Sequence, residues 1–382
     1  MPSTTDERLD RLVLAGLAIY SATACFSITL CQAGYTLALG AWVALLVRGR
    51  ERFRRTPLDP WVLGYVAAEL LSFAFSLDRA QNFVYLRRLL LLPMVYVVAG
   101  RVRSRRDLAW TLGPLLAVAA LLAGWGAGEY LLGPGGLDHR VVLRQHYLTL
   151  SGLFMILTFV GMGALPEARG PTRWMLAFAL VLVVTCQVFS YSRSAWLGTC
   201  LAAVVFLALY RPKALFLLPL ALLAIPLFPD AIVERFTSSF DPSHPRNAER
   251  AQVWKSSLAI IRDHPWTGVG DIDLSKVRGR YPGLVLGHLH NNVLQLLVSL
   301  GIPGALVVFG LFVKIGIVLA GSASAVRRRA GRHRGLAIGA LSAYVAFHVM
   351  GLFEWNFGDA EVAMLLWYTI GLSVAVGRGE LA

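Results

Sequence analysis

The sequence predicts an all-α integral membrane protein with about twelve transmembrane helices. Of its 382 residues, 57% are hydrophobic and only 15% are charged, whereas soluble proteins are about half apolar and about a quarter charged. Several windows of roughly 17–22 residues carry almost no charge, which is the length needed to cross a bilayer. The polar start of the chain, residues 1–11, indicates no cleavable signal peptide.

The apolar windows lie near 12–28, 31–47, 60–77, 83–100, 108–131, 147–165, 174–190, 195–210, 214–229, 292–320, 335–351 and 361–377. The window 292–320 is too long for one straight span. We therefore expect a half-helix, a break at Gly301–Gly304 and then the span proper. No internal repeat divides the chain. We predict one polytopic domain, 1–382, with a single external insertion at 230–289 between spans nine and ten.

Basic loops predict the orientation of the chain. Three arginine clusters, at 48–55, 101–106 and 327–334, lie on one side of the twelve-span arrangement. Cytoplasmic loops carry an excess of Lys and Arg, so both termini should be cytoplasmic and 230–289 periplasmic. The net charge of +14 therefore indicates membrane topology, and no nucleic-acid partner is expected. The four cysteines lie in or beside apolar segments, at spacings typical of neither zinc sites nor disulfide frameworks.

Cations on the predicted outer side need another explanation, because the positive-inside rule disfavours them there. They include Arg140, Arg144, Arg193, Arg235 and Arg250, together with most of the histidines. An anionic ligand on the outer face would explain them. The sequence contains no HExxH motif and no phosphate-binding Gly-Lys-Ser loop. Asp271-Ile272-Asp273 lacks other acids nearby, so we predict no metal and no cofactor.

The outer insertion contains a predicted amphipathic helix that ends at Pro265. Arg250, Trp254, Leu258 and Ile261 are spaced by four, four and three residues and should share one helix face. Arg250 would then lie on the apolar stripe. A helix lying over the membrane domain would direct this guanidinium inward.

His290 is the first candidate for a catalytic residue. It opens the polar cluster His290-Asn291-Asn292, directly before an apolar run, and a titratable group at a membrane edge is costly unless a site uses it. The alternative is a packing or helix-capping histidine. His288 should lie on a different face. Asn291 either caps the half-helix or contacts substrate.

Three further charged positions have competing interpretations. Arg193 lies at a span boundary, where its side chain either snorkels to the interface or binds an anion. Arg87 and Arg88 lie about one turn inside the outer end of the fourth span, where arginines usually face a cavity or a partner. Glu354, between the last two spans, either pairs with an outer arginine or assists an acceptor hydroxyl.

Several of these residues form a pattern that resembles a known family. His290-Asn291, nine residues and then Gly301-x-x-Gly304 are similar to the signature of bacterial O-antigen ligases. Ser192 to Gly198, with Arg193 and Trp196, resembles the S-R-x-x-W-x-G motif of the ligase and polymerase superfamily. Arg250-x3-Trp254 continuing to His264–Gly270 resembles another of its segments. Arg140 with His146-Tyr147 and Thr149 resembles a weaker element. The resemblance runs from about Arg140 to Gly371.

The resemblance implies a glycosyltransferase of the GT-C type in the bacterial inner membrane. Such enzymes move a glycan at the periplasmic face from an undecaprenyl-diphosphate carrier to lipid A-core or a similar acceptor, without metal. His290 would accept the acceptor's proton or orient its hydroxyl. The predicted diphosphate-binding residues are Arg193, Arg250, Arg140 and Arg88. Predicted acceptor or supporting residues are His288, Asn291, Glu354 and His146.

Three other functions remain open. A polymerase that joins repeat units uses the same donor, although the exact H-N-x9-G-x-x-G spacing favours a ligase. Transfer to protein is usual in chains with an additional external domain. A transporter of polyprenyl-linked glycans would show repeats and charges near the bilayer midplane, whereas here the unusual charges gather at one face.

Overall fold

The computed structural model describes residues 4–132, 141, 146–217, 230–238, 241, 243–328 and 333–379. Within these ranges the regular elements are helices, which confirms the predicted all-α class. They are α1 Thr4–Thr23, α2 Ile28–Val47, α3 Asp59–Ala74, α4 Arg79–Leu86, α5 Met94–Arg101, α6 Arg105–Leu132, α7 Tyr147–Ala164, α8 Gly170–Phe189, α9 Arg193–Tyr210, α10 Asp230–Thr237, α11 Pro245–Asp263, α12 Asn292–Arg328, α13 Arg334–Gly351 and α14 Ala360–Arg378. Short 3₁₀ segments lie at Arg87–Leu91, Pro212–Leu217 and Leu274–Val277.

Eight helical segments in the described ranges are long and apolar enough to cross a membrane. They are α2, Arg79–Arg101, Arg105–Tyr130, α7, α8, α9, α12 and α14. The predicted windows 12–28, 60–77 and 335–351 are also helical, in α1, α3 and α13, but these helices are not among the eight. The window 214–229 is described only as far as residue 217. The protein is thus a multi-pass α-helical membrane protein, and twelve spans stay a prediction.

The centre of the bundle is formed by α7, α13 and α14, whose side chains are mostly buried. The backbones of α7 and α13 approach closely where Gly163 faces Gly335, leaving no room for a Cβ on either. Small residues allow such approaches in membranes, where packing rather than burial from water drives helix association. These rigid helices carry the loops that form the site.

Two of the three basic clusters lie at the same end of the helix bundle. Asp6 pairs with Arg48 and Arg50, at 2.8 Å from each. Arg101 pairs with Asp10 at 2.7 Å, and Arg103 with Glu51 at 2.6 Å. The clusters 48–55 and 101–106 therefore lie on the same side of the protein, as the predicted topology requires. Assigning that end to the cytoplasm remains a prediction.

The predicted break in α12 is confirmed at Gly301, whose φ of 68° and ψ of 177° are not helical. The chain forms a half-helix over 292–300 and continues as a long helix over 302–328. Ile302 N–H donates to the Pro265 carbonyl at 2.7 Å, which ties the break to the end of α11. Gly304 does not take part in the break. It is helical and packs near Ala68 of α3.

Substitution of Gly301 by alanine should destabilise the protein. An added Cβ would lie 2.6 Å from the Trp266 carbonyl carbon, and the positive φ disfavours any L side chain. We expect a loss of about 1–3 kcal/mol, measured as a lower thermal unfolding midpoint in detergent. Gly40→Ala in α2 is the control, because nothing lies within 4 Å of its added Cβ. An unchanged unfolding midpoint for Gly301→Ala would show that the backbone at the break does not require glycine.

The predicted outer segment, 230–289, contributes most of a small separate hydrophobic core, and this corrects part of the predicted stripe on α11. The buried face of α11 is formed by Val253, Ser257 and Ile260, which lie against Val269, Ile272, Leu274, Tyr281, Leu284, Leu289 and Val298. Leu258, predicted to be on the buried face, is 57% exposed. The prediction was wrong for Leu258, because residues 269–289 fold back over α11 and bury a different face. Arg250 and Trp254 are partly buried, as expected for the predicted stripe.

Candidate active site

A cavity of about 190 Å³ lies where α7, α9, α10, α11 and α12 meet. Its lining residues are Tyr147, Leu148, Tyr191, Ser192, Arg193, Ser194, Arg235, Arg246, Glu249, Arg250, Leu286 and His290. Four arginines face one glutamate in this lining, so the cavity has an excess of positive charge. Arginine binds phosphate and carboxylate oxygens in pairs and stays charged at any physiological pH. The cavity is thus suited to an anion.

His290 is held in one orientation by Glu354. Its Nδ1 lies 2.7 Å from Glu354 Oε1, and the other carboxylate oxygen, Oε2, lies 3.6 Å from an Arg250 nitrogen. Burial alone would raise the pKa of Glu354, but the hydrogen bond from His290 and the charges of His290, His288 and Arg250 bring it below its ordinary value. An ionised Glu354 accepts a hydrogen from Nδ1 and leaves Nε2 of His290 free to accept a proton.

The backbone at His290 is strained and is held from both sides. Its φ is 48°, in the left-handed region, which costs about 1–3 kcal/mol for a non-glycine residue. On one side, the Trp254 indole N–H donates to the Leu289 carbonyl at 2.8 Å. On the other, Asn291 caps α12 by accepting from Leu294 N–H at 3.0 Å and donates to the Leu352 carbonyl at 2.8 Å. The capping alternative for Asn291 is thus confirmed.

His288 does not lie on a different face from His290, as predicted, but beside it. The ring centroids are 4.1 Å apart, and His288 Nδ1 accepts the His290 backbone N–H at 3.4 Å. The left-handed turn at His290 brings the two rings together, and residue spacing alone does not reveal such a turn. Burial and the neighbouring His290 lower the pKa of His288 to about 4, so this ring is neutral at neutral pH.

Arg193 enters the cavity from the first turn of α9. The chain turns sharply just before it, at Tyr191, whose φ is 56°. The Arg193 guanidinium donates to the Ser238 carbonyl at 3.0 Å and to Asn247 Oδ1 at 3.2 Å. Arg235 donates to the Tyr191 carbonyl at 3.3 Å. These bonds join the start of α9 to α10 and α11 around one cavity.

Arg88, another predicted donor-binding arginine, has a different partner. Arg88 pairs with the buried Asp271, and its guanidinium lies 4.6 Å from the Tyr85 ring centroid. It does not line the cavity. Arg140 and the competing Arg144 are outside the described residues. Donor contacts by Arg88 and Arg140 therefore remain predictions.

His146 lies on the other side of the first turn of α7 from His290. Its Nδ1 accepts from Leu148 N–H at 3.4 Å, which caps α7. Tyr147 and Leu148 line the cationic cavity, whereas His146 and Thr149 line a second one together with Glu361. Thr149 also donates to Asp359 at 2.5 Å. His146 and His290 therefore line different cavities, and a supporting role for His146 remains a prediction.

Arg235, Arg246 and Glu249 were not among the predicted site residues. Both arginines lie in the predicted outer segment, where the positive-inside rule disfavours cations, so composition pointed toward them. Only the folding of α10 and α11 against α9 brings them to the cavity. Nothing in the sequence around Glu249 distinguishes it from an ordinary exposed residue of a helix.

Three side chains near the cavity could also hold a metal ion. Donor atoms of His288, His290 and Glu354 lie within 4.8 Å of one another, and such a set of two imidazoles and a carboxylate suits zinc. However, Glu354 is already bonded to His290 and lies 3.6 Å from Arg250. A nearby guanidinium repels a second cation. The absence of a metal requirement therefore stays a prediction.

Treatment with EDTA should leave the rate of the wild-type enzyme within about twofold, whereas added Zn²⁺ should inhibit it. Zinc would occupy the imidazole nitrogen of His290 that is predicted to accept a proton. The measurement is glycan transfer by purified protein before and after dialysis against EDTA. Activity that is lost on dialysis and restored by Zn²⁺ would assign a metal to these three residues.

Substitution of Glu354 by glutamine should lower kcat by roughly tenfold to a hundredfold, because a neutral amide no longer fixes the Nδ1–H tautomer of His290. The KM for the donor should change much less. The control is Glu249→Gln, because Glu249 lines the same cavity but is not the carboxylate bonded to His290. Equal effects of the two substitutions would contradict the positioning role of Glu354.

Comparison with known proteins shows what this part of the chain is similar to. A family model described as O-antigen ligase matches residues 176–309. This range contains Arg193, Arg250, His290 and Gly301 but not Glu354. An O-antigen ligase from Pseudomonas aeruginosa is 27% identical over 268 residues, which are 66% of this chain and 62% of that protein. The match thus spans less than two thirds of the relative's length. Together with the motifs and the helical fold, these matches show that this chain is similar to O-antigen ligases.

Proposed function

We propose that this protein is an O-antigen ligase-type glycosyltransferase of the GT-C type. It moves a glycan from an undecaprenyl-diphosphate carrier to lipid A-core or a similar acceptor, without a metal ion. It works in the bacterial inner membrane with its site toward the periplasm and both termini in the cytoplasm. The observation that carries the proposal is the hydrogen-bonded dyad His290–Glu354 at the edge of an arginine-lined cavity.

The arginines of the cavity suit a diphosphate leaving group. Arg193 and Arg250 approach from two helices, α9 and α11, so they can hold the two phosphates from different sides. When the bond between the anomeric carbon and the diphosphate oxygen breaks, its electron pair stays on the diphosphate. Fixed guanidinium groups stabilise the charge that develops there, at no cost in reorganisation.

The proton of the acceptor hydroxyl moves to His290. The hydroxyl oxygen attacks the anomeric carbon while its hydrogen passes to Nε2, the nitrogen that does not bond Glu354. The resulting imidazolium lies between its hydrogen bond to the Glu354 carboxylate and the anionic diphosphate, and both stabilise it. The products are the glycosylated acceptor and the free carrier diphosphate, and the proton is later lost to solvent.

The test is complementation of two strains, one that lacks its O-antigen ligase and one that lacks its O-antigen polymerase. Lipopolysaccharide banding is compared with and without this chain, and His290→Asn serves as the inactive control. Restored banding in the ligase-null strain alone supports the ligase. Restoration in the polymerase-null strain alone would assign the superfamily's other activity. Failure in both strains, with the protein present in the membrane, would overturn the proposal for these acceptors.

A further inference from the structure

Arg88, in the 3₁₀ segment Arg87–Leu91, contacts two other parts of the protein. Its guanidinium pairs with the carboxylate of Asp271. The guanidinium carbon lies 4.6 Å from the ring centroid of Tyr85 and 5.9 Å from that of Trp355. A guanidinium within about 6 Å of an aromatic ring is attracted to the ring face, most strongly in the case of tryptophan. One side chain therefore joins the predicted outer segment to the loop before α14.

Asp271 has a fixed position between α4 and the half-helix of α12. The Gly270 N–H donates to the Ser299 carbonyl at 3.1 Å, which attaches this segment to the half-helix. The Asp273 N–H donates to Gln81 Oε1 at 3.1 Å, which attaches it to α4. Asp271 itself is only 9% exposed, so its charge needs a cationic partner. The guanidinium that pairs with it is thus anchored to the half-helix that carries the candidate site.

Glu354 lies on a loop that is tied to the start of α12 on both sides of it. Asn291 donates to the Leu352 carbonyl at 2.8 Å, and Asn292 donates to Asn356 Oδ1 at 2.6 Å. These two bonds fix the loop at residues 352 and 356 but do not contact the carboxylate. Its orientation between the two ties depends on its immediate neighbours in the loop.

The next residue, Trp355, contacts both Arg88 and Glu354. Its backbone N–H donates to Oε1 of Glu354 at 3.1 Å, and the same oxygen lies 2.7 Å from His290 Nδ1. This bond requires one orientation of the peptide between residues 354 and 355, which the position of the indole ring helps to set. A chain of contacts thus runs from the Arg88 guanidinium through Trp355 to the oxygen that orients His290.

We propose that Arg88 is a positioning residue, which acts through Trp355 to hold the Glu354 carboxylate against the His290 ring. The inference rests on the proposed function, in which His290 accepts the proton of the acceptor hydroxyl. Without the guanidinium, the indole ring and the peptide after Glu354 can take other orientations. The carboxylate then contacts Nδ1 for a smaller fraction of the time, and the chemical step slows.

A direct contact with the donor is the competing role for Arg88, and the two roles predict different kinetics. Loss of a donor contact weakens diphosphate binding and raises the donor KM, whereas loss of a positioning residue lowers kcat at an unchanged KM. Two observations favour positioning. Arg88 does not line the cationic cavity, and its charge is paired with Asp271.

The test compares Arg88→Ala with the wild type, both as full-length protein in lipid nanodiscs. We expect kcat for glycan transfer to fall by about threefold to tenfold, the change that corresponds to one cation–π contact. The donor KM and the Kd for inorganic diphosphate should stay within about twofold. Arg88→Lys keeps the charge beside Asp271 and should recover part of the rate. Arg87→Ala is the matched control, because Arg87 is the adjacent arginine, is exposed and does not line the cavity. It should transfer glycan at the wild-type rate.

A double substitution tests whether Arg88 acts through Glu354. In a Glu354→Ala background there is no carboxylate to orient, so the addition of Arg88→Ala should lower kcat by less than about twofold. A role in general stability would instead lower the rate by the same factor in both backgrounds. Because removal of Arg88 leaves Asp271 buried without its partner, Trp355→Leu is the second variant. It keeps the ion pair and should show the same loss of kcat and the same dependence on Glu354.

The outcomes separate this inference from the proposed function. If the wild type transfers glycan and Arg88→Ala both raises the donor KM and weakens diphosphate binding, Arg88 contacts the donor and the positioning role alone is overturned. Equal losses in the two backgrounds, or wild-type rates for both Arg88→Ala and Trp355→Leu, would overturn it as well. If the wild type transfers no glycan, the proposed function falls and the inference falls with it. A loss of kcat that disappears in the Glu354→Ala background supports the inference.

Discussion

Substitution of His290 by asparagine should lower the rate of glycan transfer by about a thousandfold, within the range of general base catalysis. Asparagine places an amide nitrogen close to the position of Nδ1, so the hydrogen bond to Glu354 can survive. The nitrogen that accepts the acceptor's proton, Nε2, is removed. The measurement is the rate of transfer at saturating donor, together with the thermal unfolding midpoint.

The control for this substitution is His244→Ala, which removes an outer-segment histidine that does not line the cavity. We expect nearly wild-type transfer from this variant and an unchanged midpoint from both. A His290→Asn enzyme with more than about a tenth of wild-type activity would show that His290 only orients the hydroxyl, because a lost general base costs at least about a hundredfold.

Substitution of Arg250 by alanine should lower kcat/KM for the donor by about a hundredfold to a thousandfold, the cost of removing one fixed charge that stabilises a leaving group. It should also have a second effect. Arg250 contributes to the lowered pKa of Glu354, so its removal raises that pKa. Activity depends on ionised Glu354, and the acid limb of the pH–rate profile should therefore move to higher pH.

Arg250→Lys and Arg262→Ala provide the comparison for this variant. Lysine keeps the charge but cannot bind two oxygens in a fork, so it should recover only part of the loss. Arg262 is an exposed arginine on the same helix that does not line the cavity, and its removal should have little effect. A large loss for Arg262→Ala would indicate that general surface charge, and not the cavity, attracts the donor.

The helical class, most helix positions and the break at Gly301 could be predicted from the sequence. These features depend on local patterns: windows of apolar residues, and a glycine pair directly after a half-helix. The face of α11 could not be predicted, because the buried stripe at Val253, Ser257 and Ile260 is selected by residues 269–289 folding back. Periodicity within one helix carries no information about what later packs against it.

The residues of the candidate site could also be predicted only in part. Arg193, Arg250 and His290 belong to sequence motifs, and all three line one cavity in the structure. The partnership of His290 with Glu354 joins residues that are 64 positions apart, and the sequence left two roles open for Glu354. For Arg88, the predicted contact and the observed contact differ. Its position suggested a donor contact, but the nearby Asp271 engages its charge.

The dyad of His290 and Glu354 has a consequence for how the enzyme matures. All of the motif residues in 176–309 are synthesised and can be inserted before the loop that carries Glu354 leaves the ribosome. Asn292 of α12 donates to Asn356 at 2.6 Å, and Asn356 donates to the Phe347 carbonyl at 2.8 Å. The same loop therefore both supplies the carboxylate and docks the last two helices. The complete signature can therefore be present before the site is, because His290 gains the carboxylate that orients it only when α13 and α14 have assembled.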